Sequence, residues 1–273
     1  MKRIGLALGG GGAKGLAQLP LLEVFEELGI RPHRIAGTSI GAIMGALFAA
    51  GRSVREIREL VARSVITPAD SLLAALQKTE ALRMFALFDP DLSQRGFFKG
   101  EKFMHFLQEA IGVEDFAGLT IPLRIVASDF WTSEEVVLES GELLPAIKAS
   151  MGLPGIFTPV RIGERVLIDG GGVNPLPHDL LTDCDVVVAI DVMGSMPGVS
   201  GSLPHLARAV IGTFDVMQNS IIAAKLRLSP PDIYIKPDIA GVDIMDFYQA
   251  ETIYAQTAPA VDRLRNELVR LAG

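Results

Sequence analysis

Two hydrophobic periods alternate along the first part of the chain. Ile4-Gly5-Leu6-Ala7-Leu8 is an unbroken apolar run, the pattern of a strand buried on both faces. A run of glycines follows. Over residues 16–28 the spacing becomes helical, with Leu21, Val24, Phe25 and Leu28 on one side and Glu23, Glu26 and Glu27 on the other. Gly29 marks a stop, and Pro20 either sits near the start of this helix or bends it. Residues 34–37 form a second short strand. Residues 39–50 are apolar all round and rich in Gly and Ala. That predicts a buried helix pressed against a sheet and ended by Gly51.

Residues 53–112 read as mainly helical. Val54, Ile57, Leu60 and Val61 make one stripe; Phe103, Phe106, Leu107 and Ile111 make another. Between them, Leu82 to Phe88 and Arg95 to Phe98 carry aromatic residues that read as core or as a mobile apolar cover. Strand patterns return at 123–128, 135–138, 166–168 and 186–190, with a late one at 233–235. Residues 203–226 are helical. In the last helix Thr257 suits the cap, Pro259 the first turn, and Val261, Leu264, Leu268 and Leu271 the buried face. Strands interleaved with helices predict an α/β fold around a largely parallel sheet. No repeat, linker or low-complexity tract divides the chain. One domain is expected over 1–273, its motifs within 3–190 and a helical part from about 203 to 273.

With 273 residues, 49% of them apolar, the chain can bury a substantial core. A net charge of −7 argues against a nucleic-acid partner and against strong attraction to anionic membranes. Cys184 is the single cysteine, which excludes an internal disulfide and a Cys/His metal site. It reads as a small buried filler. The basic-then-apolar start runs directly into glycines and fits a first strand better than a signal peptide. The segment at 40–50 is too short to cross a bilayer. A soluble, cytoplasmic protein is the expectation.

Three motifs carry candidate chemistry. Gly37-Thr38-Ser39-Ile40-Gly41 matches the nucleophile elbow, G-x-S-x-G. That turn holds a serine out from a strained backbone, with glycines leaving space and a helix N-terminus beside any developing oxyanion. Five residues are a short pattern, so the flanking strand and helix carry the assignment. The other reading makes Ser39 or Thr38 a plain N-cap. Gly9-Gly10-Gly11-Gly12-Ala13-Lys14-Gly15 lets the main chain approach a ligand and aim N–H donors at it, as an oxyanion hole requires. Gly10, Gly12 and Gly15 also fit G-x-G-x-x-G. However, no acid ends the next strand, and no lysine-hydroxyl pair follows Gly15. Lys14 is either a contact for an anionic head group or a solvated lysine. The third motif is Asp169-Gly170-Gly171-Gly172 after an apolar run. Asp129 and Asp191 end similar runs, and position alone does not separate the three.

The serine needs a base. An α/β-hydrolase places its serine after several strands and its histidine late, whereas Ser39 follows at most one strand before its own. His178 and His205 are candidates. The alternative is a partly desolvated aspartate acting directly.

The glycine loop, the elbow near position 40 and the downstream Asp-Gly-Gly, in this order, resemble the patatin-like phospholipase family, in particular its short bacterial members akin to neuropathy target esterase. Residues 149–159 resemble the family's segment ahead of the aspartate. The resemblance implies a three-layer α/β/α fold with a mainly parallel sheet and a Ser39–Asp169 dyad. It also implies an oxyanion hole from Gly10, Gly11 and Gly12, and a basic residue at Lys14. No metal or cofactor is implied. Substrates would be phospholipids, lysophospholipids or simple esters, met in solution or by transient contact with a membrane surface. The chain departs from the family pattern at Ala17-Gln18-Leu19-Pro20, where short bacterial relatives read Ala-His-Ile-Gly. Two other functions compete: a non-catalytic lipid-binding or regulatory adaptor, and a nucleotide-binding protein using Gly10 to Gly15. Oligomeric state is not legible.

Overall fold

The computed structural model describes residues 2–64, 101–153, 157–194 and 206–272. Eight strands join one sheet: β1 (Ile4–Leu8), β2 (Arg34–Thr38), β3 (Leu123–Asp129), β4 (Glu135–Leu138), β5 (Val160–Ile162), β6 (Arg165–Asp169), β7 (Val186–Ile190) and β8 (Ile233–Ile235). Strands β3, β2, β1, β7 and β8 lie side by side and parallel. β4 and β6 run antiparallel to β3, and β5 antiparallel to β6. The fold is mixed α/β with a mainly parallel central sheet.

The two faces of the sheet are unlike each other, as strand alternation requires. Leu6, Leu8, Ile35 and Ile125 point into the main core. There they meet α1 (Gln18–Glu27), α2 (Ile40–Ala49), α3 (Val54–Ser64), α4 (Glu101–Ile111), α5 (Leu143–Ser150) and α7 (Ala250–Ala272). The opposite face is thin. Ala7 pairs in register with Ala36 on one side and Ala189 on the other. This row of methyl groups packs against Leu176, Leu181 and Ile222, the last from α6 (Leu206–Leu228). Helices therefore cover both faces. Phe25 on α1 is fully buried, and truncating it to alanine would cost about 3–5 kcal/mol.

The junction at β3 positions the site. Ile125 pairs with Gly37 of β2 and with Leu138 of β4, so β2 and β4 occupy opposite edges of β3. Ala127 pairs with Val136 of β4 and with Asp169 of β6, so β6 lies on the edge that β2 occupies. Thr38 ends β2 opposite Val126, and Asp169 ends β6 opposite Ala127. Two strands thus run toward each other along one edge of β3 and stop at adjacent positions.

Most periodic segments fold as their spacing predicts, and α1 begins at Gln18, which puts Pro20 in its first turn. The last helix differs. It begins at Ala250, so Thr257 is no cap and Pro259 lies inside it. The Thr257 hydroxyl donates to the Ile253 carbonyl at 2.7 Å. Ile253, Ala260, Leu264 and Leu268 bury one continuous face that outweighs the hydrogen bond lost at proline. The aromatic segment at 82–98 lies outside the described residues. Among the described residues, no helix is long and apolar enough to cross a membrane.

Candidate active site

Ser39 sits between β2 and α2 with φ 55° and ψ −122°. A non-glycine residue there stores about 1–3 kcal/mol of strain. The turn closes because its neighbours lack side chains: a Cβ on Gly41 would fall 2.1 Å from the Leu8 carbonyl oxygen, and one on Gly37 2.5 Å from that of Gly41. The Ser39 N–H donates to the Ser150 hydroxyl at 2.8 Å. Ser150 ends α5 and is fully buried, so a second element pins the strained turn. The Ser39 side chain itself is half-buried.

Asp169 faces this serine from the end of β6. Its carboxylate accepts from the Gly171 N–H at 2.7 Å and lies near the Ser39 side chain. Burial pushes the carboxyl up to about 6, against the downward pull of the Gly171 bond and of the nearby Ser39 hydroxyl. No cation contributes to this shift. The turn carrying Asp169 is held at three points. Ser128 Oγ donates to the Asp169 carbonyl at 2.7 Å, and Asp169 N–H to the Gly152 carbonyl at 3.1 Å. Thr38 Oγ1 donates to the Asn174 carbonyl at 2.7 Å, tying the end of β2 to the loop that follows the aspartate.

The glycine loop borders the same space. A Cβ on Gly10 would lie 3.5 Å from Ser39 Cβ. The Gly10 N–H is not an oxyanion donor, because it bonds the Pro175 carbonyl at 2.9 Å. Gly9 and Ala13 are likewise committed, to Ile190 and Ile244. Gly11, at φ 152°, and Gly12, at φ 58°, donate to no carbonyl among the described residues. Of the three amides expected from sequence, those of Gly11 and Gly12 have no carbonyl partner among the described residues, and Gly10 lies close beside the serine.

Lys14 is buried, and its Nζ donates to the Met193 carbonyl at 3.0 Å. It braces the glycine loop against the segment after β7. Gln18 is fully buried and donates to the Gly9 carbonyl at 2.8 Å, a second brace on the loop.

Three of the competing bases, His178, Asp129 and Asp191, are engaged elsewhere. Both ring nitrogens of His178 face main-chain carbonyls, Nδ1 that of Leu176 at 2.9 Å and Nε2 that of Ser229 at 2.8 Å. His205 lies outside the described residues. Asp129 accepts from the Trp131 N–H at 3.0 Å and forms a turn. Asp191 accepts from Tyr234, Lys236 and the Met193 N–H. Sequence reasoning missed Gln218. This α6 residue is buried, with a Cβ on Gly171 falling 2.8 Å from its Cδ and Oε1. Its only trace in the sequence is a glutamine on the helical stripe that also carries Ile222.

Comparison with known proteins identifies the family. A family model described as patatin-like phospholipase matches residues 6–182. An uncharacterized NTE family protein of Mycobacterium tuberculosis is 31% identical over 225 residues, covering 78% of this chain and 58% of its own length. Patatin-like phospholipase domain-containing protein 7 of Rattus norvegicus is 34% identical over 195 residues, 69% of this chain and 13% of that protein. The chain thus spans a little over half of the mycobacterial relative and a small part of the rat one. The crystal structure of VipD from Legionella pneumophila superposes with a TM-score of 0.54 at 15% identity, over 96% of this chain and 67% of that one, a likeness of fold. Motif order, site geometry and a match over most of the chain lead to one conclusion: the protein belongs to the patatin-like phospholipase family.

Proposed function

We propose that the chain is a serine acyl hydrolase that cleaves carboxylic ester bonds of lipids through an acyl-enzyme on Ser39, with Asp169 as the base. The observation that carries this reading is a hydroxyl on a strained turn beside a buried carboxyl that burial pushes up to about 6. That value leaves the carboxylate ionised at neutral pH yet more basic than an exposed aspartate. Asp169 takes the Ser39 proton as Oγ attacks the ester carbonyl. The oxyanion forms near the Gly11 and Gly12 amides and the N-terminus of α2. The alcohol departs with the proton from Asp169, and water then releases the acid.

The lipid part of the reading comes from the family, which is described as patatin-like phospholipase. The test is hydrolysis of a short-chain nitrophenyl ester and of a lysophospholipid. Ser39→Ala is expected to lower kcat/KM by about 10⁴-fold or more, because the acyl-enzyme has no other attachment point. Full activity in that variant would falsify the nucleophile assignment. Covalent labelling of Ser39 by a fluorophosphonate separates a hydrolase from a lipid-binding adaptor. A thermal shift with a dinucleotide and no labelling would instead favour nucleotide binding at the glycine loop.

A further inference from the structure

Gln218 lies outside the stretch matched by the family model, yet its amide reaches the centre of the site. It is 6% exposed. Among the described residues, its side-chain amide makes no hydrogen bond and is not fully enclosed, so it faces space that water can reach. Helical spacing puts Gln218, Ile222 and Lys225 on one face of α6. Ile222 packs beneath the alanine row, and Lys225 pairs with Asp179 at 2.7 Å. The neighbouring Asn219 accepts from Lys236 at 3.4 Å. The helix is therefore anchored beside Gln218.

Two glycines make room for that amide. A Cβ on Gly171 would fall 2.8 Å from Gln218 Oε1 and 2.9 Å from Asp169 Oδ1, so both oxygens close on Gly171 and lie near each other. A Cβ on Gly10 would fall 3.8 Å from the same Oε1 and 3.5 Å from Ser39 Cβ, so the Gln218 oxygen also lies near the nucleophile. A water bridging the Gln218 and Asp169 oxygens beside Ser39 has two protons to place. The Asp169 carboxylate accepts one. A second acceptor is needed to fix the other and leave a lone pair aimed at the acyl carbon, and the Gln218 oxygen is so placed.

We propose that Gln218 positions the water that releases the acyl group from Ser39. This rests on the acyl-enzyme reading above. The water oxygen bonds to the acyl carbon as one proton passes to Asp169. The bond from the acyl carbon to Ser39 Oγ then breaks, the proton returns from Asp169 to Oγ, and the carboxylic acid leaves.

The experiment follows nitrophenyl ester turnover and intact-protein mass in wild type, Gln218→Met and Gln218→Glu, with fluorophosphonate labelling of Ser39 as the check on folding. In Gln218→Met the first nitrophenol burst keeps its wild-type rate, while clearance of the acyl adduct slows by about tenfold or more. The adduct accumulates on the protein, and kcat and KM fall together with kcat/KM unchanged. Gln218→Glu retains an acceptor and clears the adduct faster than Gln218→Met. Equal clearance in wild type and Gln218→Met overturns the proposal, as does a loss confined to the burst with KM unchanged. If Gln218→Met fails to label, clearance in Gln218→Glu is compared with wild type. A rate raised or left unchanged when the amide becomes a carboxylate overturns the proposal, and a moderate slowing supports it. An ester activity that survives Ser39→Ala removes the function reading itself, a result separate from any of these.

Discussion

The carboxyl ends of β6 and β7 each bury an aspartate, and the two acids live in opposite surroundings. Asp191, fully buried after β7, is saturated: it accepts from Tyr234 at 2.6 Å, from Lys236 at 2.9 Å and from the Met193 N–H at 2.9 Å. Burial, then the Asp191 charge and hydrogen bond, hold the Tyr234 phenol well above its usual range. Asp169, 4% exposed after β6, has one backbone donor and the Ser39 side chain and no cation. Both side chains end apolar runs, and both precede tight turns. A full set of donors makes a carboxylate a strut. A sparse set in a dry place leaves it ready to accept a proton.

The largest effect that tests this contrast is on rate. Asp169→Asn is expected to lower kcat/KM by about 10²- to 10⁴-fold in ester hydrolysis, the range of a lost general base. A loss below tenfold would break the assignment. The pH profile gives the next. Asp169 accepts a proton only when ionised, so kcat/KM rises about tenfold per unit as pH climbs toward about 6 and levels above it. A plateau reaching down to pH 4 would show that another group acts.

Stability should move in opposite directions at the two sites. The folded carboxyl of Asp169 titrates near 6 and the unfolded one near 3.8, so its contribution is full below about pH 4 and is lost as pH rises through 6. Two units correspond to about 3 kcal/mol held against the folded state at neutral pH. Asp169→Asn therefore raises the melting temperature at pH 7.5, and the gain disappears by pH 4. A fall at pH 7.5 contradicts the desolvation account. Asp191→Asn, by contrast, weakens a buried network and costs about 1–3 kcal/mol in urea denaturation. Its kcat/KM stays within about tenfold of wild type, since Asp191 does not touch the reacting atoms. The smallest effect belongs to Asp129. Asparagine still accepts from the Trp131 N–H, so Asp129→Asn shifts stability by about 0.5 kcal/mol or less.

The elbow was legible because its determinants are local: two glycines, a serine, an apolar strand before and an apolar helix after. Asp169 was not separable from Asp129 and Asp191, because what distinguishes them is their partners, and those come from distant strands and helices. The Gly10 amide is engaged by Pro175, far along the chain, and no local pattern announces that bond. Lys14 is turned inward by the Met193 carbonyl, another remote contact. β5, with three residues, is too short to show alternation. Proline at 259 suggested a helix start, and tertiary packing overrode it. Gln218 left only a polar interruption in a buried stripe, which a core glutamine would also leave.

The meeting of β2 and β6 end to end on β3 also bears on how the chain is made. Ser39 and its elbow leave the ribosome long before the aspartate does. The nascent chain holds a nucleophile with no base until β6 pairs beside Val126 and Ala127. Under the proposed mechanism, ester hydrolysis begins only when β6 locks into register beside β3.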